Sequence, residues 1–190
     1  MKKAIIRSFI VVLIVAVSVG CGYVSSFLWD KAERNSYPLE YCEYIDEASE
    51  LYGVPKKVIY AVIHTESHFD STVKSSAGAI GLMQIMPDTF DEITKKFGDD
   101  YEQGMMYDPY TNIKYGTYYL SYLYRYFSDW DCVFAAYNAG MGNVSGWLED
   151  ERYSDGEGKL KSIPYEETRQ YVSRVNDTMK KYTDLYGKDL

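Results

Sequence analysis

Residues 59–90 read IYAVIHTESHFDSTVKSSAGAIGLMQIMPDTF, and the rest of the chain is arranged to hold this stretch. Val58, Ile59, Val62 and Ile63 recur at three- and four-residue spacing, which predicts a helix with one apolar stripe facing a core. Glu66 falls four residues after Val62 and three after Ile63, so its carboxylate lies on or beside that stripe. A carboxyl held against apolar side chains is harder to ionise, so its pKa rises and it keeps a proton to donate near neutral pH. The residues after it change character. Gly78 and Gly81, with the small Ser75, Ser76, Ala77 and Ala79, let the backbone pass close to a ligand. Gln84 brings one neutral amide into the apolar run of Leu82, Met83, Ile85 and Met86. Pro87 restarts a helix, since proline suits a first turn.

A lone glutamate near a helix end is ordinarily a solvated one; the surrounding string gives this one its meaning. It resembles the first motif of the lytic transglycosylase family, in the soluble-type branch with a goose-lysozyme-like fold. The matching residues are Glu66 and Ser67 with an aromatic at Phe69, then Ser75, Gly78 and Ala79, then the unbroken run from Gly81 through Met86 to Pro87. Three more blocks follow in the family's order. They are Tyr107, Asp108 and Pro109 with Asn112, Ile113 and Gly116; Ala135 to Gly140, reading AAYNAG; and Ile163, Pro164 and Tyr165 with Glu167, Thr168, Arg169, Tyr171 and Val172. Ordered blocks over roughly the last three quarters of a chain do not arise from one short coincidental match.

The resemblance implies an all-α, lysozyme-like domain around a glycan cleft. It implies cleavage of peptidoglycan strands between N-acetylmuramic acid and N-acetylglucosamine, without a cofactor or metal. In that mechanism a single Glu, here Glu66, first protonates the leaving oxygen and then takes the proton of the muramoyl C6 hydroxyl, which closes a 1,6-anhydro ring. The substrate's acetamido group stabilises the intermediate. Transferred residue by residue, Ser75 orients Glu66 or the acetamido group. Met83, Gln84 and Tyr137 line the sugar cleft, while Asn138 and Glu167 make polar contacts to glycan or stem peptide. Two other readings stand beside this one. A lysozyme-type hydrolase needs a positioned water and a second acid; a silent wall-binding module grips glycan without cutting it.

The 190 residues suffice for one domain with a sizeable core plus an extension. A formal charge of −8 argues against nucleic acid, whose phosphates select basic surfaces. Twenty-one tyrosines are unusual: each has a flat apolar face that can stack on a sugar, although packing accounts for them equally simply.

Lys2, Lys3 and Arg7 precede a run at residues 8–29 that carries no charge and is rich in Val, Ile, Leu and Phe. A bilayer span needs ~20 such residues, and the basic flank predicts that the rest of the chain lies outside. A cleaved signal peptide is the rival reading, because the densest part, residues 9–19, has the length of a signal core. A lipoprotein is the third, with Cys21 after Gly20, although Ser18 departs from the larger apolar residue usual there. The expectation is an anchor at residues 1–29, a linker at 30–37 and a catalytic domain at 38–190, tethered outside the cell membrane.

Within that domain the periodicity predicts about six to eight helices and no strand. Helices are expected over residues 38–52, from Pro55 to about His68, over 87–97 with a stop at Gly98, and over 109–127. Gly116 in mid-helix costs roughly 1 kcal/mol against Ala, which close packing of another helix would offset. Asp129 or Asp131 caps the next helix, which Gly140 and Gly142 break after Tyr137 and Asn138. Trp147 and Leu148 form one further turn, and a last helix covers about residues 166–185.

Asp70 is the local candidate for a second acid, one helical turn beyond Glu66 if the helix continues. With Ser71 and Thr72 beside it, a turn or cap is the better reading. Met83 and Met86 serve as core or cleft alike, Gln84 needs polar partners, and Glu167 suits a helix first turn as well as a substrate. His64 and His68 flank Glu66 in an order unlike the zinc-protease motif and without a third ligand, so they read as surface or core histidines. Cys42 and Cys132 either pair or stay as free thiols.

Overall fold

The computed structural model describes the backbone apart from residues 1, 100, 188 and 189, and the side chains apart from those of 1–15, 100, 103, 188 and 189. The chain divides into two compact units, Met1–Pro38 and Leu39–Leu190. The first is a single helix, α1 (Lys2–Ser36). Much of the expected membrane span lies outside the described side chains; among the described residues, no helix is long and apolar enough to cross a membrane. The expected linker takes a different form, because residues 30–36 are the last turns of α1. Asp30 and Arg34 stand in the i, i+4 order that supports a helix, and Pro38 disfavours helix at the residue before it.

The second unit is built mainly of helices. Its elements are α2 (Cys42–Tyr52), α3 (Lys56–Ser67), α4 (Pro87–Phe97), α5 (Pro109–Phe127), α6 (Trp130–Ala139), α7 (Met141–Glu149) and α8 (Glu166–Tyr186). A 3-10 turn at Gln103–Tyr107 lies between α4 and α5. Among the described residues, paired extended backbone is limited to isolated bridges, Lys74 with Ile80, Ile80 with Ile85 and Ser154 with Leu160.

The element that holds the site is α3, and it is buried more completely than a one-stripe helix. Every residue from Val58 to Ile63 is at most 1% exposed, which is how a helix apolar on all sides behaves. The sheath around it includes α2 and, most extensively, α8; α8 also packs on α6, and α5 packs on both α2 and α6. Tyr60 of α3 stacks on Tyr182 of α8 with ring centres 5.3 Å apart. Many tyrosines are spent in this way: Tyr115 meets Phe90, Phe97 and Tyr101 in edge contacts.

Local chemistry explains where the helices begin and end. α4 and α5 start on proline and match the expected bounds. The Asp108 carboxylate accepts from Thr111 N at 2.9 Å, and Asp129 accepts from Cys132 N at 3.1 Å, so Asp129 is the cap of α6. α2 starts later than expected, because Tyr41 is left-handed at φ 56° and the chain enters the helix only at Cys42. The single turn expected around Trp147 is a nine-residue helix. Gly140, at φ 89°, makes the break between α6 and α7, whereas Gly142 lies within α7. Gly116 does answer to close packing, but a side chain provides it. A Cβ at Gly116 would collide with the thioether of Met83, which arrives from the glycine-rich segment and not from another helix.

Candidate active site

α3 stops where the chemistry requires it to stop. His68 and Phe69 are both left-handed, at φ 51° and 66°, and this pair turns the chain sharply away from the helix axis. Asp70 therefore does not sit one turn above Glu66. It is exposed and accepts from Thr72 N at 2.8 Å and Thr72 Oγ1 at 2.7 Å, an Asx turn whose hydrogen bonds hold its pKa below the ordinary carboxylate value. The buried Ser67 hydroxyl lies 2.8 Å from Leu82 O and 3.2 Å from Ile63 O, which links the helix end to the returning segment.

That segment, residues 73–86, is pinned at its centre by Asn112 of α5. Asn112 is fully buried; its Oδ1 accepts from Met83 N at 2.7 Å, and its Nδ2 donates to Ile80 O at 3.0 Å and Met106 O at 2.7 Å. Gly81 fits beside it only without a side chain, because it is left-handed at φ 78° and a Cβ would strike the Asn112 amide and Met106 O. Gln84 is also left-handed, at φ 48°. Its Nε2 donates to Gly81 O at 2.8 Å and to Val73 O at 3.1 Å, which secures the turn from inside.

Glu66 stands in the last turn of α3, partly buried. Tyr171 of α8 donates its hydroxyl to Glu66 Oε1 at 2.7 Å. Burial lifts the Glu66 pKa from 4.5 to about 7, and the Tyr171 hydrogen bond and the more distant Arg174 charge only partly oppose the rise. Tyr137, at the end of α6, donates to Met83 O at 2.7 Å. Burial first, and then the neighbouring Glu66 charge, push both tyrosine hydroxyls well above their ordinary value, so both remain neutral donors. The arrangement is a carboxyl able to carry a proton near neutral pH, framed by hydroxyls that cannot compete for it.

Of the residues singled out in the sequence, Gln84, Tyr137 and Asn138 come together around a pocket of about 200 Å³ that also takes in Met86, Thr89 and Tyr119. Met83 contributes to this arrangement through its backbone, while its side chain is fully buried against Gly116. Ser75 closes its own loop: its Oγ accepts from Ala79 N at 3.0 Å, and among the described residues no hydrogen bond joins it to Glu66. Asn138 is exposed, with Oδ1 accepting from the buried Thr168 hydroxyl at 2.8 Å. Glu167 stands exposed in the first turn of α8. His64 and His68 lie with ring centres 4.7 Å apart, and no group of three or more metal-ligating side chains occurs among the described residues. Cys42 is exposed and Cys132 buried, both as free thiols, and burial pushes Cys132 up to about 12.

Two residues central to this geometry were not marked as functional from the sequence. Tyr171 and Asn112 enter the sequence reading only as letters of motif blocks; each acts through a hydroxyl or amide that a periodicity argument counts merely as buried. Tyr171→Phe is expected to raise the Glu66 pKa further, since it removes a hydrogen bond to the ionised form. The alkaline limb of a pH profile of kcat/KM should then move upward, with the maximum falling by ~10-fold or less, the scale of one hydrogen bond. An unmoved limb would show that the contact does not tune Glu66.

Comparison with known proteins accords with this geometry. The chain is 39% identical over 157 residues to the soluble lytic murein transglycosylase of Escherichia coli K12, covering 80% of this chain and 24% of the relative. It is 31% identical over 166 residues to the membrane-bound lytic murein transglycosylase C of Edwardsiella ictaluri, covering 75% of this chain and 46% of that protein. The crystal structure of the 70 kDa soluble lytic transglycosylase of Escherichia coli superposes with a TM-score of 0.75 at 36% identity, over 87% of this chain and 27% of that one. An inactive glutamate-to-glutamine mutant of the lytic transglycosylase Slt of Pseudomonas aeruginosa superposes with a TM-score of 0.71 at 33% identity, over 80% of this chain and 25% of that one. The chain thus spans about a quarter to a half of the length of these relatives. With the transglycosylase SLT domain model matching residues 43–159, the chain belongs to the transglycosylase SLT domain family.

Proposed function

We propose that this protein is a peptidoglycan lytic transglycosylase in which Glu66 is the single acid and base. The observation that carries the reading is a partly buried carboxyl that accepts the Tyr171 hydroxyl at 2.7 Å and whose charge acts on Tyr137, a residue lining a pocket of about 200 Å³; burial lifts this carboxyl to about 7. Protonated Glu66 gives its proton to the glycosidic oxygen as the bond from the muramoyl C1 breaks. The carboxylate so formed takes the proton of the C6 hydroxyl while O6 bonds to C1, so the anhydro ring closes without water and Glu66 returns to its starting state. Gln84, Tyr137 and Asn138 contact the glycan, Met83 sets the cleft floor through its carbonyl, and Ser75 shapes the loop beside it. Glu167, at the rim, meets glycan or stem peptide.

The experiment is mass spectrometry of muropeptides released from purified wall. An anhydro terminus is expected; a reducing terminus, heavier by one water, would instead show a lysozyme-type hydrolase. Asp70→Asn offers a second check, because Asp70 is turned into its own loop and away from Glu66. Turnover within ~3-fold of the parent is expected, with a modest loss of stability from the weakened turn. A loss comparable to that of a Glu66 variant would restore the two-carboxylate mechanism.

We further propose that residues 8–29 tether residues 38–190 to the outer face of the cell membrane, residues 30–37 linking the two. The support is the uncharged run behind Lys2, Lys3 and Arg7. Fractionation should recover the full chain with membranes after a wash in high salt. Its release by the wash, or processing that Cys21→Ser blocks, would replace the spanning helix with a peripheral or lipidated form.

A further inference from the structure

The pocket at Tyr137 does not end at Tyr119. A second pocket of about 150 Å³ adjoins it, sharing Thr89 and Tyr119 and continuing along Glu92, Lys96 and Tyr122. The two halves differ in chemistry. Around Gln84, Tyr137 and Asn138 the walls are amides and aromatic rings, suited to neutral sugar; the continuation has a carboxylate and an ammonium facing one small space.

Glu92 and Lys96 lie one turn apart on α4, in the order in which such residues ordinarily bond each other. Here no ion pair joins them. Lys96 Nζ lies 4.5 Å over the centre of the Tyr122 ring, and Glu92 lines the same pocket as Tyr119, whose hydroxyl pKa is raised by burial first and then by the Glu92 charge. The Tyr119 and Tyr122 rings are close to parallel, 6.5 Å apart at 13°, and line the same pocket as Glu92 and Lys96, so both charges border one aromatic floor. A ligand complementary to this floor has a carboxylate to meet Lys96, an ammonium to meet Glu92, and a covalent link to a neutral sugar next door.

Resting on the wall-glycan reading above, we propose that this end of the cleft seats the zwitterionic stem peptide of a muramoyl residue, with Lys96 and Glu92 as its specificity determinants. With the muramoyl lactyl carboxyl taken up in its amide to the peptide, the sugars carry no charge; the stem peptide has carboxylates and, where its diamino acid is not cross-linked, a free ammonium. The seat therefore favours uncross-linked acidic stems over amidated ones. Both side chains are on the exposed face of α4, so substituting them leaves the core untouched.

The test is calorimetric titration of the full chain with Glu66→Gln, so that binding is read without turnover. The probes are one muramoyl disaccharide in three forms: without peptide, with a free zwitterionic stem, and with that stem amidated at its carboxylates and acetylated at its amine. The free stem should bind ~5- to 10-fold more tightly than the blocked one, an advantage that narrows at high salt. Adding Lys96→Met or Glu92→Gln should bring that ratio towards 1. Equal affinity for the free and blocked stems, or a ratio that survives both substitutions, overturns the seat while binding of the peptide-free disaccharide keeps the glycan reading. Failure of all three probes to bind overturns that reading and the seat with it.

Discussion

Glu66→Gln should lower wall-lytic turnover by ~10² to 10⁴, the range for losing a general acid and base, while glycan binding survives. Glutamine keeps the shape and can still accept the Tyr171 hydroxyl, but it has no proton acidic enough to give to a leaving oxygen. The same substitution has a signature in stability. Because the folded-state pKa of Glu66 is raised from 4.5 to about 7, its favourable protonated form is fully present below 4.5 and is lost as pH rises through about 7. Above that pH the buried charge costs up to about 3 kcal/mol, which the neutral amide avoids. The variant should therefore melt higher than the parent at pH 8.5 and show no such gain at pH 4. Near-normal turnover would remove Glu66 from the mechanism; a stability difference independent of pH would remove the account of its pKa.

How far the sequence revealed this arrangement depended on the range of each interaction. α4 and α5 were legible to the residue because a proline opens each and the stop is local. The partial burial of Glu66 was legible because Val62 and Ile63, which set the apolar stripe, are on its own helix, within four residues. α7 was not, since Gly142 and Gly146 lower its intrinsic preference and the helix is held by burial of Val144 and Trp147. The helical end of α1 was missed for the opposite reason: its polar composition was weighed more heavily than the helix-forming order of its charges. Long-range pairings were out of reach altogether. Tyr171 reaches Glu66 across 105 residues, and Asn112 reaches Met83 across 29. The resemblance placed both residues in motifs and left open what their side chains hold. Gly116 illustrates the same limit, since its position forecast a close neighbour and only the fold identified that neighbour as Met83.

Asn112→Ala is expected to be the most damaging substitution away from the catalytic carboxyl, costing ~3 to 5 kcal/mol. The amide is fully buried, and its loss leaves Met83 N and Met106 O without these partners and Ile80 O with only Ile85 N, at 3.1 Å. Each deserted group carries its own desolvation cost, because these groups lie in the interior around a residue with no exposed surface. The consequence passes to the site through one atom. Met83 O accepts the Tyr137 hydroxyl, so a slack turn lets Tyr137 move and loosens the pocket that it lines. Urea denaturation should therefore show a lower midpoint, and variant molecules that remain folded should have a raised KM as well as a reduced kcat. Asn112→Asp separates hydrogen bonding from size: it keeps an acceptor for Met83 N but removes the donor to the two carbonyls and adds a buried charge, so it should be no more stable than the alanine variant at neutral pH. A loss below ~1 kcal/mol for alanine would mean that the glycine-rich turn holds its shape through Ser67 and Gln84 alone.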